Sequence, residues 1–122
     1  MAIIIRTKDP RKLLRNINQQ IDNQHIKTWK YDEEGDYTAV SLQWRYRAWM
    51  HPILPDQLNH YPDDVLIFGI VGSRSYKMTK EIYGVYHGRF ITTILAHFDT
   101  EIEEIRPTTL LQKGIDRVND IL

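Results

Sequence analysis

The chain has 122 residues, of which 42% are hydrophobic and 26% are charged, as is usual for a single globular domain. Sixteen basic residues balance sixteen acidic ones, which disfavours a dedicated duplex-binding protein, because such proteins are usually basic. The absence of cysteine excludes disulfides, thiol nucleophiles and thiolate metal sites. We therefore expect one domain over residues 1–122.

Membrane and targeting signals are weak in this sequence. The longest apolar run, Val65 to Gly72, is far shorter than the ~20 residues that cross a bilayer. The first residues, MAIIIRTKDP, have no basic region before their apolar run, unlike a signal peptide. These features predict a soluble, cytoplasmic protein that does not contact a membrane.

The N-terminal region predicts a strand followed by a helix. The β-branched residues Ile3–Ile5 favour a buried strand over residues 2–7. Asp9 is placed to cap a helix whose first residue is Pro10. This helix should run to about Asn23, because apolar residues recur at helical spacing at Leu13, Leu14, Ile17 and Ile21.

Residues 26–50 predict a hairpin around an acidic turn. Residues 26–32 form the first arm, and Glu33–Asp36 form a turn in which Gly35 suits a positive φ. The second arm, residues 37–50, alternates between apolar and mixed polar residues, as a half-buried strand does. We expect one long, bent or bulged strand, with Val40, Leu42, Trp44, Tyr46, Ala48 and Met50 facing the core.

The middle of the chain predicts an irregular stretch and then a central strand. Three prolines prevent regular pairing within residues 51–64. Residues 65–72 are apolar at both odd and even positions, which indicates a strand covered on both faces. The polar segment 73–77 that follows is expected to be a turn, in which Arg74 and Lys77 could also attract an anion.

The C-terminal third predicts two helices and two strands. We expect a strand at 80–86, a break at His87-Gly88 and a helix to about Asp99, because apolar residues from Phe90 onward form a helical stripe. A short edge strand at 101–106 ends at Pro107. A last helix then begins near Thr109, which has capping-box spacing to Gln112.

These elements predict an α+β domain with a mainly antiparallel sheet of about five to six strands and helices packed on it. Without the first hairpin arm and the strand at 80–86, the order is β-α-β-β-α-β. That is the pattern of ferredoxin-like sandwiches, here followed by a C-terminal helix. Folds of this kind host many functions, so the architecture alone does not identify one.

The first group of candidate residues could bind a small anion. His87 and Arg89 lie at the predicted helix start, where backbone amides attract anions and a guanidinium can clamp a carboxylate or phosphate. His97 could move a proton near neutral pH, but ten helical residues, or ~15 Å, separate it from His87. With Arg74 and Lys77, these residues are our candidate ligand site. A hydrolase or transferase would use His87 as acid–base and Arg89 as anion clamp.

The second group is the predicted outer face of the long strand, formed by Tyr37, Gln43, Arg45, Arg47 and Trp49. Arginines beside aromatic rings occur on sheets that bind single-stranded nucleic acid. The same residue types dominate protein-binding hot spots, which predicts a homodimer or another protein partner. A structural role, with Trp49 covering the sheet and the arginines paired to acids, is the alternative to both.

The sequence as a whole predicts a small binding or interaction module that recognises a protein partner or a small anionic ligand. The enzyme and the single-stranded nucleic-acid binder are the alternatives. No cofactor or metal is expected, because neither the acidic turn nor the loop containing His51 and His60 has the spacing of a metal site.

Overall fold

A computed structural model describes residues 2–58, 61–110 and 112–118 of the chain. The strands are β1 (Ala2–Arg6), β2 (Trp29–Tyr31), β3 (Tyr37–Ala39), β4 (Ala48–Ile53), β5 (Val65–Gly72) and β6 (Glu104–Pro107). The helices are α1 (Pro10–Asp22) and α2 (Lys80–Phe98), with a short 3-10 turn at Pro55–Gln57. None of the described helices is both long and apolar enough to cross a membrane.

All six strands belong to one antiparallel sheet with the order β2-β3-β4-β5-β1-β6. The α+β fold is therefore confirmed. Its core follows the predicted order β-α-β-β-α-β through β1, α1, β4, β5, α2 and β6, and the hairpin of β2 and β3 extends the sheet beyond β4.

The helix α1 forms where the sequence predicts it. The Asp9 side chain accepts a hydrogen bond from the Lys12 amide at 3.1 Å, which satisfies one free N–H of the first turn. Leu13 and Ile17 are buried against the sheet, and the opposite face is solvated. Both the predicted cap and the predicted buried stripe are thus present.

The strand β5 is the central strand, as its apolar run predicts. It pairs with β4 on one side and with β1 on the other. Leu66, Phe68 and Ile70 face the core that the two helices cover. Val65 and Ile67 face the opposite side of the sheet, which we call the outer face.

The predicted long strand over 37–50 is wrong, because the chain leaves the sheet between Ala39 and Ala48. Residues 40–47 form a loop that starts with a turn in which the amides of Trp44 and Arg45 bond to the Ser41 carbonyl. A tyrosine from α2 anchors this loop, since the Tyr86 hydroxyl donates to the Trp44 carbonyl. Trp44 therefore remains buried as predicted, whereas Val40, Leu42 and Tyr46 are exposed.

The strand β4 begins later than predicted and extends into the segment expected to be irregular. It continues through His51, Pro52 and Ile53, which pair with β5. Proline is tolerated there because β3 pairs with β4 only at Tyr37 and Met50, so Pro52 needs no amide on that side.

The predicted strand at 80–86 and the break at His87-Gly88 are also wrong, because α2 is one continuous helix of 19 residues. Thr79 caps it by accepting from the Ile82 amide at 3.1 Å. The helix is held by a buried stripe of Ile82, Tyr83, Tyr86, His87, Phe90, Ile94 and Phe98. Packing of this stripe on the sheet outweighs the ~1 kcal/mol that each interior glycine costs a helix.

The C-terminal region contains one strand and no helix in its described part. The predicted edge strand is confirmed as β6, which pairs with β1. The helix predicted from Thr109 is wrong over residues 112–118, which form turns and a parallel bridge between Arg117 and Val71. Residues 111 and 119–122 of that predicted helix lie outside the described residues. Ile115 covers part of the outer face, packing with Ala2, Ile4, Ile53, Val65 and Ile67.

Candidate functional site

The predicted ligand residues on α2 point in different directions. His87 is 3% exposed, and its Nδ1 donates to the Tyr83 carbonyl at 2.8 Å, one turn earlier in the same helix. Arg89 follows two residues later, about 200° around the helix, and is exposed. His97 is exposed near the end of the helix. The structure therefore does not combine these side chains into one acid–base and anion-clamping site.

The predicted anion turn after β5 forms a small, separate concavity. The Ser75 amide donates to the Ser73 hydroxyl at 3.0 Å, which shapes the turn. Arg74 and Lys77 are exposed and line a cavity of about 230 Å³ there. That volume lies below the range of ordinary small-molecule sites.

Part of the predicted interaction surface does come together on the outer face. Trp49 projects from β4 and stacks on Tyr46, with ring centroids 6.4 Å apart and an angle of 28° between the planes. The Arg45 guanidinium lies 5.3 Å from the centre of the Tyr46 ring. Lys30 lies 4.5 Å from the same ring centre. Its ammonium also donates to the Tyr46 hydroxyl at 2.5 Å, which lowers the pKa of that phenol.

A second pair of the same kind lies beside the first. The Arg47 guanidinium lies 3.7 Å from the centre of the Tyr76 ring. None of the ion pairs among the described residues involves Arg45 or Arg47. We call Lys30, Arg45, Tyr46, Arg47, Trp49 and Tyr76 the cation–aromatic surface.

Two of the residues predicted for this surface stand apart from its ring contacts. Tyr37 is fully buried, with its ring 5.9 Å from Phe68 and 5.8 Å from Phe90, and its hydroxyl donates to Asn18. Burial raises the pKa of this phenol above its usual range. Gln43 is exposed on the 40–47 loop. Tyr37 is therefore a core residue.

The backbone is strained at Tyr46. Its φ of 62° lies in the left-handed region, which costs a residue with a side chain roughly 1–2 kcal/mol. The amide of Tyr46 donates to the Thr38 hydroxyl at 3.1 Å, which helps to hold this conformation. Such strain often marks a functional position, and here it accompanies a ring that remains 45% exposed.

The acidic turn after β2 borders the cation–aromatic surface. Asp32, Glu33 and Glu34 line one side of a cavity of about 540 Å³, and Trp49 and Arg74 line the other. Next to them, the buried carboxylate of Asp36 bonds to His51 Nδ1 at 2.6 Å. Groups of opposite sign are therefore neighbours on the outer face.

Sequence reasoning missed a groove between α2 and the start of β2, which we call the α2 groove. Its volume is about 580 Å³, within the range of small-molecule sites. It is built from three segments that are distant in sequence, and of its residues the sequence had indicated only Arg89, as an anion clamp. The lining residues are Lys27, Thr28, Trp29, Ala39, Val40, Ser41, Gly88, Arg89, Thr92 and Thr93.

The described residues contain no group of three or more His, Asp or Glu side chains placed to hold a metal ion. Comparison of the chain with protein-family models, curated proteins and solved structures finds no match.

Proposed function

We propose that this chain is a protein-interaction module whose partner is a second copy of the same chain, bound through the cation–aromatic surface and the 40–47 loop. The observation that carries this proposal is a concentration of exposed apolar groups. Six large hydrophobic side chains are exposed in the described part of the chain. Four of them, Val40, Leu42, Tyr46 and Tyr76, lie on the loop or under Arg47. Such groupings on a protein surface are typical of interaction sites.

The residue types support binding to a protein. Trp, Tyr and Arg are the side chains most enriched in binding hot spots. Here the arginines are already stacked on rings, so less side-chain freedom is lost on association. Leu42 is 82% exposed and offers neither a charge nor a ring, which favours a protein over a nucleic acid as the partner.

The charges support self-association in particular. In a twofold dimer the same patch contacts itself, so the patch must be complementary to its own copy. The cation–aromatic surface lies beside the acidic turn of Asp32, Glu33 and Glu34, across the cavity that Trp49 lines. A twofold rotation can therefore place the arginines of one copy against the carboxylates of the other.

Sedimentation velocity of the wild-type chain over a range of concentrations tests this proposal. We expect a sedimentation coefficient that rises with concentration. Leu42→Ser and Arg47→Glu should each weaken association about tenfold or more, since both side chains lie on the proposed contact. Both variants should keep the wild-type circular dichroism spectrum, because neither side chain is in the core.

Arg15→Glu is the matched control, because it makes the same charge change on the exposed face of α1. It should associate like the wild type. A wild-type chain that sediments as a monomer at every concentration would overturn the proposal. Equal association of wild type, Leu42→Ser and Arg47→Glu would do the same.

A further inference from the structure

We propose that the α2 groove is a second binding site, for a small organic anion with a flat apolar body, of the kind represented by an aromatic carboxylate. The α2 groove shares Val40 and Ser41 with the 40–47 loop, but Lys27, Trp29 and Arg89 lie outside the proposed dimer contact, so the site would function in the monomer.

The charges of the groove favour an anion. Lys27 and Arg89 are the charged residues of its described lining, and none of the described carboxylates lines it, although the chain has sixteen acidic residues. Among the described residues, neither cation forms an ion pair. The Arg89 guanidinium lies 5.9 Å from the centre of the buried Trp44 ring, which limits its freedom on one side. An anionic group between Lys27 and Arg89 would meet positive charge without competition from an internal acid.

The floor of the groove favours a flat apolar body. Trp29 is 3% exposed, and its indole N–H donates to the Thr93 hydroxyl at 3.2 Å. Its ring packs edge-on against Tyr86 and Phe90, with centroids 5.5 and 5.0 Å away. Trp29 is therefore fixed in orientation, and Ala39 and Val40 extend the apolar lining beside it. Preorganised apolar walls with few polar groups are usual for small-molecule sites.

The hydroxyl groups of the groove divide into two kinds. Thr92 and Thr93 donate to the carbonyls of Gly88 and Arg89 at 2.8 and 2.9 Å, so their protons are already used. The side-chain hydroxyls of Thr28 and Ser41 form no hydrogen bond within the described residues, so both can donate to a bound carboxylate. These donors lie on the sheet side of the groove, opposite the arginine on α2.

The space itself depends on a glycine of α2. A Cβ atom built at Gly88 would have no heavy atom from any other described part of the chain within 4 Å, beyond its own stretch of helix, so the groove is open above this residue. The same is true of Gly84, one turn earlier on the same exposed side of the helix, but Gly84 does not line the groove. A larger residue at Gly88 can therefore fill the groove without disturbing the core, and the same substitution at Gly84 provides the control.

The experiment is a calorimetric titration with 2-naphthoate, compared with the uncharged alcohol 2-naphthalenemethanol. We expect the carboxylate to bind about tenfold more tightly than the alcohol, because charge-assisted hydrogen bonds are the stronger kind. Arg89→Gln should weaken naphthoate binding about tenfold. Gly88→Leu should abolish binding by filling the groove, whereas Gly84→Leu should bind like the wild type.

Absence of naphthoate binding to the wild type would overturn the proposal. So would binding that is unchanged in Gly88→Leu and Arg89→Gln. Titration of Arg47→Glu separates this site from the dimer contact, since this variant should bind naphthoate at least as tightly as the wild type even where it fails to associate. A loss of binding in Arg47→Glu would place the ligand on the cation–aromatic surface and contradict the α2 groove.

Discussion

Two buried tyrosines on α2 show how differently neighbouring hydroxyl groups are used. The Tyr86 hydroxyl donates to the Trp44 carbonyl and lies 3.0 Å from the Thr38 hydroxyl, so it ties the helix to the 40–47 loop. The Tyr83 hydroxyl is buried and has no hydrogen-bond partner among the residues that the structure describes. An unpartnered buried hydroxyl costs stability, whereas a partnered one contributes to it.

Replacement of each tyrosine by phenylalanine should therefore have different effects. Tyr86→Phe should lower the free energy of unfolding by about 1 to 2 kcal/mol, because two hydrogen-bond partners lose their contact. Tyr83→Phe should leave it unchanged within ~0.5 kcal/mol or raise it, because no hydrogen bond is lost. Urea denaturation followed by circular dichroism measures both values. Equal destabilisation by the two substitutions would contradict this assignment.

At the scale of elements, the C-terminal segment completes the sheet beside β5. The strand β1 begins at Ala2, opposite Gly69, and residues 116–117 pair with β5 beyond this point. The Asp116 carboxylate accepts from the Ile70 amide at 2.9 Å, and the Arg117 amide donates to the Ile70 carbonyl at 2.8 Å. Gly69 permits this approach, because a Cβ there would lie 2.2 Å from the Ile115 carbonyl oxygen.

Two glycine substitutions should consequently change the free energy of unfolding in opposite directions. Gly69→Ala should lower the free energy of unfolding by about 1 to 3 kcal/mol, because the new methyl group must displace the segment that contains Ile115. Gly84→Ala, on the open side of α2, should raise it by about 0.5 to 1 kcal/mol. Urea denaturation provides the values. Amide exchange at Gly72, whose N–H donates to the Arg117 carbonyl, should accelerate only in Gly69→Ala.

At the scale of the whole molecule, the buried phenols couple folding to alkaline pH. Burial raises the pKa of Tyr83 to about 12, with a further contribution from Asp116, and burial also raises the pKa of Tyr37. Tyrosine in an unfolded chain ionises near pH 10. Between pH 10 and 12 the folded state therefore holds more protons than the unfolded state, so stability falls as the pH rises. Tyr46, whose pKa Lys30 lowers, acts in the opposite direction but is exposed.

We expect that Tyr37 and Tyr83 leave the free energy of unfolding constant between pH 8 and 9. Above pH 10 they should make it fall. In Tyr83→Phe the fall should be shallower, because one of the two buried phenols with a raised pKa is gone. Urea denaturation at several pH values between 8 and 11.5 measures both slopes. A wild-type stability that rises with pH over this range would contradict the burial of these phenols.

The sequence was most informative where local rules and burial agree. Asp9 and Pro10 begin a helix, and residues 65–72 form the central strand, because one cap and one uninterrupted apolar run suffice to define them. The candidate site was only partly predictable. Arg45, Arg47 and Trp49 do contribute to one surface, but the two arginines lie on the 40–47 loop and only Trp49 lies on a strand. Tyr37 belongs to the core.

By itself, the sequence determined the α+β class, the antiparallel core order and the placement of its first helix and central strand. The tertiary structure decided that residues 40–47 leave the sheet and that residues 80–86 join α2. In both regions, contacts with distant residues outweighed a local pattern. Alternation over residues 40–46 favoured a strand, and the glycines of α2 favoured a break in the helix. The hydrogen bond from Tyr86 to the Trp44 carbonyl joins positions 42 residues apart, and the α2 groove joins three separate segments. No sequence window contains these contacts, so only the folded chain shows them.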